Sequence, residues 1–270
     1  KPSDAQRAVA ASLAESDHGL VLLGNIAGRH AAYAAVRALS AAIASATGAT
    51  FGSLSEGANT AGLHLAGVLP HRSANAVARS KAGSAAAGML DGALDAVVLL
   101  NVEPDSDLLA VPDAVERLSK QAFVVALTSF DSAALRESAD LLLPVGTWAE
   151  TSGTYVNVAG TWQSFGGVAN PVGESRPAWK VLRVLGNLVE AEGFDYVSSE
   201  DVRDELVAAL GDAGADTAYR GTARHAKPNG ADAPGAEIDV PLYSVDGLVR
   251  RARALQRTPA ALRATAKRHG

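Results

Sequence analysis

Cysteine is absent from the 270 residues of this chain. Its absence excludes disulfide bonds, thiolate metal sites and cysteine nucleophiles together. Because iron–sulfur clusters are held chiefly by cysteine thiolates, any iron–sulfur chemistry must belong to a segment outside this sequence.

An excess of basic residues and a long apolar run are missing as well. The formal net charge is −5, so the chain lacks the electrostatic footprint of a nucleic-acid-binding protein, and we expect no nucleic-acid partner. No window holds the roughly 18 uninterrupted apolar residues of a membrane span, and we expect none. The chain begins with Lys1 rather than Met, and no signal-peptide pattern precedes Leu20. We interpret the sequence as a fragment of a longer protein.

Short apolar runs alternate with segments of helical periodicity along most of the chain. With 48% hydrophobic and 20% charged residues, the chain has enough apolar material for a large core. Strands are predicted near Leu20, Phe51, Val97, Val124 and Leu141, and helices over about 3–13, 29–48, 75–90, 175–193 and 199–211. This alternation predicts an α/β fold, with a doubly wound, mainly parallel sheet and helices on both faces.

Composition changes after this α/β body, which we assign to residues 1–210. Residues 211–240 are rich in Gly, Ala, Pro and Asp and predict an extended arm. Residues 241–270 are basic and predict a C-terminal amphipathic helix, with an apolar face formed by Val245, Leu248, Val249, Ala252 and Leu255. We expect this helix to dock on protein, either its own acidic body or a neighbouring subunit, rather than on lipid.

Several polar groups are candidates for ligand chemistry, and each has a simpler explanation. Carboxylates that follow predicted strands could hold Mg²⁺, but such residues more often cap the next helix; they are Glu56, Glu103, Asp105 and Asp107. His64 and His71 could face one metal, although no third ligand is evident. The turn from Gly24 to Gly28 resembles a phosphate-binding turn but lacks the glycine spacing and the lysine of the known motifs.

The segment Asp140–Gln163 is the main functional candidate. Its apolar run ends at Pro144 and is followed by small polar residues. This pattern is typical of a strand followed by a loop at the ligand-binding edge of a sheet. The alternative is an ordinary hairpin over Thr154–Phe165 that turns at Ala159 and Gly160. Spacing alone slightly favours the hairpin.

The sequence resembles a known family at this segment. The runs LLLP, AETSGTYVNVAGTWQ and PVGESRPAWKVLRVLG are similar to the C-terminal half of the large, 75 kDa-type iron–sulfur subunit of bacterial NADH-quinone oxidoreductase, respiratory complex I. That subunit belongs to the molybdopterin oxidoreductase superfamily. The resemblance extends to GLVLLGNIAGRH, SEGANTAGLHLAGVLPHR and VPLYSVDGLVRRARALQ, and so covers most of the chain.

The resemblance implies a pterin-site loop with the pattern E-x-x-G-T-Y-x-N-x-E-G-R-x-Q. Seven positions of this chain match it: Glu150, Gly153, Thr154, Tyr155, Asn157, Gly160 and Gln163. Two positions depart, because Ala159 stands in place of the acidic residue and Thr161 in place of the arginine. Arginine suits phosphate and pterin through its paired donors, so the loop is expected to be vestigial and molybdopterin is not expected to bind.

The resemblance also implies a role and a setting. The fragment is expected to be a structural and interaction-bearing part of a proton-pumping NADH:quinone oxidoreductase, with no catalytic residue and no metal of its own. The 4Fe–4S and 2Fe–2S clusters would lie on an amino-terminal part, and the partners would be other peripheral-arm subunits on the cytoplasmic side of the bacterial inner membrane. The alternative is a functional molybdopterin-dinucleotide-binding domain of a molybdenum oxidoreductase.

Overall fold

The fold combines helices with parallel strands, as the sequence predicts. The computed structural model describes residues 1–28, 30, 32–55, 57–74, 77–108, 111, 113–211, 219–221 and 243–262. The chain divides into unit 1, formed by residues 1–60, 157–161 and 215–240, and unit 2, formed by residues 61–156, 162–214 and 241–270. Parallel strands flanked by helices occur in both units, which confirms the α/β class.

Unit 1 is built around two parallel strands. Its elements are α1 (Asp4–Ala14), β1 (Leu20–Leu23), α2 (Asn25–Gly28), α3 (Tyr33–Thr47) and β2 (Thr50–Ser53). Ser3 and Gln6 form a reciprocal capping box that starts α1. Gly48, at φ 72°, ends α3 in the left-handed conformation that glycine adopts without steric cost.

The two faces of this strand pair differ. Phe51 lies with the alanines of α3, and Val21 is its partner in the register. Because side chains alternate along a strand, Leu20 and Leu22 lie on the opposite face, where they are 57% and 51% exposed. Parallel sheets are normally covered on both faces, so this face is an exposed apolar surface.

Helix α3 packs through its smallest side chains. The spacing places Leu39 and Ile43 on one apolar face of the helix, yet they are 44% and 48% exposed, whereas Ala38 and Ala44 are buried. Alanine lets the helix backbone approach the sheet closely.

Unit 2 contains a three-stranded parallel sheet in the order β3-β4-β5. The elements in chain order are α4 (Thr60–Leu65), α5 (Ala86–Leu90), β3 (Val97–Leu100), α6 (Pro104–Asp107), α7 (Ala114–Ser119), β4 (Val124–Thr128), α8 (Ala133–Ser138), β5 (Leu141–Pro144), β6 (Gly153–Val156), β7 (Trp162–Phe165), α9 (Ala178–Leu188), α10 (Ser199–Leu210), α11 (Gly247–Arg250) and α12 (Arg253–Gln256). Strands β6 and β7 pair antiparallel as a separate hairpin.

The core of unit 2 lies between one face of this sheet and the helices that connect its strands. Leu118 of α7 and Leu135 of α8 are fully buried and pack with Leu99, Val124 and Ala126 of the sheet. This packing fixes the strand ends, and therefore the loops that follow them.

Two expectations about the elements need correction. Within the described residues, the parallel strands form two separate hydrogen-bonded sheets, not one. The helix predicted over 75–90 is reduced to α5, and Arg72 instead makes isolated antiparallel bridges with Leu69 and Ala78. The segment before α5 is short of large apolar residues, so it has no face whose burial would offset the cost of forming a helix.

The predicted arm lies almost wholly outside the described residues. Within residues 211–240, the structure describes residue 211 and residues 219–221. The extended conformation of the arm remains a prediction.

Candidate functional site

A cavity of about 340 Å³ lies at the carboxyl end of the three-stranded sheet of unit 2. Each strand supplies part of its wall through the loop that follows it: Asn101 after β3, Ser129 after β4 and Thr147 after β5. Ligands of open α/β proteins bind at this edge of the sheet. We therefore take this cavity as the candidate functional site.

Hydrogen bonds link the three loops to one another. Asn101, at φ 50°, accepts a hydrogen bond at its Oδ1 from the Ser129 N–H at 3.2 Å. The Ser129 hydroxyl lies 3.2 Å from the same Oδ1 and 3.1 Å from the Gly146 carbonyl oxygen. The positive φ of Asn101 places its amide between the strand ends, so the floor of the cavity is already organised.

The C-terminal segment supplies the wall opposite these loops. Arg251 makes a paired contact with the Glu103 carboxylate, at 2.9 Å to Oε1 and 3.1 Å to Oε2. Arg250 lies 3.0 Å from Glu103 Oε1 and also pairs with Asp107. The Arg251 guanidinium stacks over the Phe130 ring at 4.1 Å. The basic segment is therefore docked on its own body, which is one of the two arrangements that we expected.

The two arginines control the ionisation of Glu103. Burial of this side chain, which is 11% exposed, opposes the charged form, but the hydrogen bonds and positive charges of Arg251 and Arg250 outweigh that effect. The pKa of Glu103 is therefore held below its ordinary value of 4.5. The carboxylate is ionised at neutral pH and fully engaged.

The docked segment is not the single helix predicted. Within its described residues it forms short helices instead: α11 and α12, separated at Arg251 and Ala252, and a further helical stretch at residues 259–262. The Asp246 side chain caps α11 by accepting from the Leu248 and Val249 N–H groups. The Gln256 side chain donates to the carbonyls of Tyr243 and Val249 at 2.7 and 2.9 Å. These side-chain contacts hold the segment in a folded-back shape that a continuous helix would not allow.

Gly247 allows the segment to approach the body closely. A Cβ atom at this position would lie 3.2 Å from the Phe130 ring and 3.3 Å from Glu103 Oε1. A larger residue would therefore push α11 away from the carboxylate that its arginine contacts.

The segment Thr154–Phe165 forms the β-hairpin that the simpler interpretation predicted. Strands β6 and β7 pair in antiparallel register, with Thr154 opposite Ser164, and their hydroxyls are 2.9 Å apart. Asn157 holds the turn, because its Oδ1 accepts from the N–H groups of Ala159 and Thr161, both at 3.0 Å. Gly160, at φ 82°, completes the reversal.

Glu150 has a local structural role. Its Oε2 accepts from the Thr147 N–H at 2.7 Å and lies 3.0 Å from the Thr147 hydroxyl. This is a capping box around the single 3₁₀ turn Trp148–Glu150. The carboxylate is therefore engaged in holding the chain that leads from β5 to the hairpin.

Of the remaining motif residues, two pack against Phe165 and one is exposed to solvent. Gly153 lies under the Phe165 ring, which a Cβ atom would approach to 3.1 Å. Tyr155 packs edge-on against Phe165 at 5.0 Å and also lines the candidate cavity. Gln163 is exposed. Tyr155 is the member of the seven-residue motif that reaches this cavity.

The other sequence candidates do not assemble into a metal site. No group of three or more His, Asp or Glu side chains suited to a metal occurs among the described residues. Asp107 accepts from the Glu103 N–H at 2.8 Å, while the Glu103 side chain makes no cap hydrogen bond to α6. Gly24–Gly28 belongs to unit 1, and Glu56 lies outside the described residues.

Sequence reasoning missed the link between Glu103, Asp107 and the two arginines. A signal was present, because acidic residues follow a predicted strand and the tail carries the opposite charge. Charge alone does not reveal register, so the pairing of residues 148 positions apart becomes visible only in the structure.

Comparison with known protein families identifies the family of this chain. The molybdopterin oxidoreductase family model matches residues 4–188. This match covers more than half of the chain, and the protein belongs to that family.

The individual relatives are named as different enzymes or enzyme subunits. The chain is 30% identical over 124 residues to a subunit of the NADH-quinone oxidoreductase of Salmonella typhimurium, covering 44% of this chain and 13% of that protein. It is 28% identical over 141 residues to a nitrate reductase of Symbiobacterium thermophilum, covering 52% and 18%. It is also 38% identical over 66 residues to the mitochondrial NADH-ubiquinone oxidoreductase 78 kDa subunit of Candida albicans, covering 24% and 9%. The chain thus spans less than a fifth of each relative.

A helix that crosses a bilayer must be both long and apolar. Among the residues that the structure describes, no helix meets both conditions.

Proposed function

We propose that this chain is a structural and interaction-bearing portion of the large peripheral-arm subunit of a proton-pumping NADH:quinone oxidoreductase. The observation that carries the proposal is the use of the motif residues. Glu150 caps a turn, Thr154 pairs across the hairpin and Asn157 closes it. These three polar side chains each hold the local fold, which supports a structural role for the motif.

The candidate cavity is poorly suited to a molybdopterin dinucleotide. Such a group is dianionic and requires cationic or N–H donors. Arg250 is the one cationic side chain among the described residues that line the cavity, and Glu103 and Asp107 already neutralise it. Ala159 and Thr161 remove two further charged groups from the motif. We therefore assign no pterin and no reaction step to this cavity.

Exposed apolar surface supports an interaction role. Leu20 and Leu22 of unit 1 and Val98 of unit 2 are each more than half exposed, although they belong to parallel strands. Surfaces of this kind commonly mark protein–protein contacts. Other peripheral-arm subunits are the partners we propose, in a complex bound on the cytoplasmic side of the bacterial inner membrane, with the iron–sulfur clusters on another part of the subunit.

A second function is kept because of one comparison. The match to the nitrate reductase covers 52% of the chain, more than the 44% covered by the match to the Salmonella typhimurium oxidoreductase subunit. This favours a molybdopterin-dinucleotide-binding domain of a molybdenum oxidoreductase, with the cavity as part of its site.

Electron transfer in the assembled enzyme separates the two functions. With Asn157→Ala in the full subunit, we expect NADH-to-quinone electron transfer per assembled complex to be nearly unchanged, since Asn157 would act only on the hairpin. A variant that assembles and melts like the parent, yet transfers electrons tenfold more slowly, would show that the loop has a direct chemical role.

A further inference from the structure

Unit 1 contains a second cavity that the proposed function does not use. It has a volume of about 440 Å³ and is lined mainly by small side chains of α3. Phe51 of β2 forms one wall, and Tyr219 and Gly221 lie against it. All of these residues belong to unit 1.

Tyr219 is held at this groove by two aromatic contacts. Its ring meets the Phe51 ring edge-on, with centroids 5.7 Å apart and an interplanar angle of 69°. The Arg37 guanidinium lies 5.2 Å from the centroid of the same ring. Edge-to-face pairs and cation–π pairs both stabilise an aromatic ring beyond its burial alone.

The sequence around Tyr219 is adapted to this position. A Cβ atom at Gly221 would lie 2.2 Å from the Tyr219 hydroxyl oxygen and 2.3 Å from its Cζ. A Cβ atom here would therefore displace the Tyr219 ring from its present position. Tyr219 is also the single aromatic residue among residues 211–240, which otherwise carry few large apolar groups.

We infer that the groove between α3 and β2 is a docking site for this chain's own arm, with Tyr219 as its anchor. Arg37 and Phe51 contact the ring, the alanines of α3 leave room for it, and Gly221 adds no side chain that would collide with it. Tyr219 thereby anchors to unit 1 a segment whose sequence is poor in large apolar residues.

Fluorine NMR of the full chain labelled with 3-fluorotyrosine tests this inference. The chain has five tyrosines, and Tyr219→Phe identifies the signal of Tyr219. We expect that signal to differ from free 3-fluorotyrosine, and to move towards the free value in Gly221→Ala, Arg37→Gln and Phe51→Leu. The Tyr33 signal, from the same unit, should stay in place and report that the unit remains folded.

Gly24→Ala is the matched control, because a Cβ atom at Gly24 meets nothing within 4 Å, and it should leave the Tyr219 signal unchanged.

Trypsin should cleave after Arg220 about tenfold faster in Tyr219→Ala than in the parent, since the loss of both ring contacts favours local opening. A Tyr219 signal at the free value in the parent would overturn the inference. Equal cleavage rates in the two chains would do the same.

Discussion

Glu103 is a nearly buried carboxylate held between two guanidinium groups. Burial raises its pKa, but Arg251 and Arg250 lower the pKa by more, so the net shift is downward. A carboxyl group with a lowered pKa in the folded state stabilises that state above its ordinary pKa, and this contribution is lost as the pH falls through the folded-state value. The acid stability of unit 2 should therefore depend in part on this residue.

We predict that the free energy of unfolding falls as the pH drops below about 4.5, and falls less steeply in Glu103→Gln. The variant lacks the ionised group, so it has already lost this contribution at neutral pH. Urea unfolding between pH 3 and pH 7 measures both slopes, with Asp105→Asn, an exposed carboxylate of the short helix that Glu103 precedes, as the control. Identical slopes for the parent and Glu103→Gln would show that the carboxylate is not held by the arginines.

The side-chain oxygen of Asn157 accepts hydrogen bonds from two backbone N–H groups. Replacement by Ala leaves the N–H groups of Ala159 and Thr161 without that partner. We expect a loss of about 1–3 kcal/mol in the free energy of unfolding, towards the lower end because the turn is partly open to water. Thermal and urea unfolding measure it. Gln163→Ala, an exposed residue of the same hairpin, should change stability by much less.

At the scale of elements, the C-terminal segment is part of unit 2 although it is distant in sequence. Arg250 and Arg251 reach carboxylates that follow β3, and Gly247 makes the close approach possible. Residues 243–262 therefore complete the wall of the candidate cavity.

We predict that replacing both arginines by Gln lowers the free energy of unfolding by about 2–4 kcal/mol. Removing one partner of a buried ion pair usually costs about 3–5 kcal/mol. We expect a slightly smaller loss here because Glu103 keeps some exposure to water. Adding Glu103→Gln should recover part of the loss, since the unpaired carboxylate is then removed. Arg253→Gln is the matched control. If the double variant unfolds like the parent, the segment is not held by these pairs.

The elements also show where sequence reasoning succeeds and fails. Strong local signals predicted correct elements: the helices over about 3–13 and 29–48, and the strands at the apolar runs near Val97 and Val124. The helix over 75–90 was wrong because alanine favours helix while offering little surface to bury. The single C-terminal helix was wrong because long-range contacts at Arg251 override its local periodicity.

The candidate site was predictable only in part. The location at strand ends followed from the α/β pattern, and the hairpin alternative followed from the two runs flanking Gly160. The arrangement of Glu103 with Arg250 and Arg251 depends on tertiary register, about which the spacing of residues in the sequence carries no information.

At the scale of the whole molecule, membership of the family does not determine the role of the chain. The match over residues 4–188 places the chain in the molybdopterin oxidoreductase family, but the relatives it resembles are named both as NADH-quinone oxidoreductase subunits and as nitrate reductases. A fold does not by itself specify a function. The distinguishing features are local: a hairpin whose polar groups are engaged, and a cavity whose described cation is paired with carboxylates.

Metal and pterin content therefore tests the central claim most directly. The chain would be expressed together with the pterin biosynthesis enzymes, purified, and analysed for molybdenum and iron by elemental mass spectrometry and for pterin by fluorescence after oxidation. We predict a colourless product with far less than one molybdenum, iron or pterin per chain. Near-stoichiometric molybdenum accompanied by pterin would contradict the structural role and establish the cofactor-binding alternative.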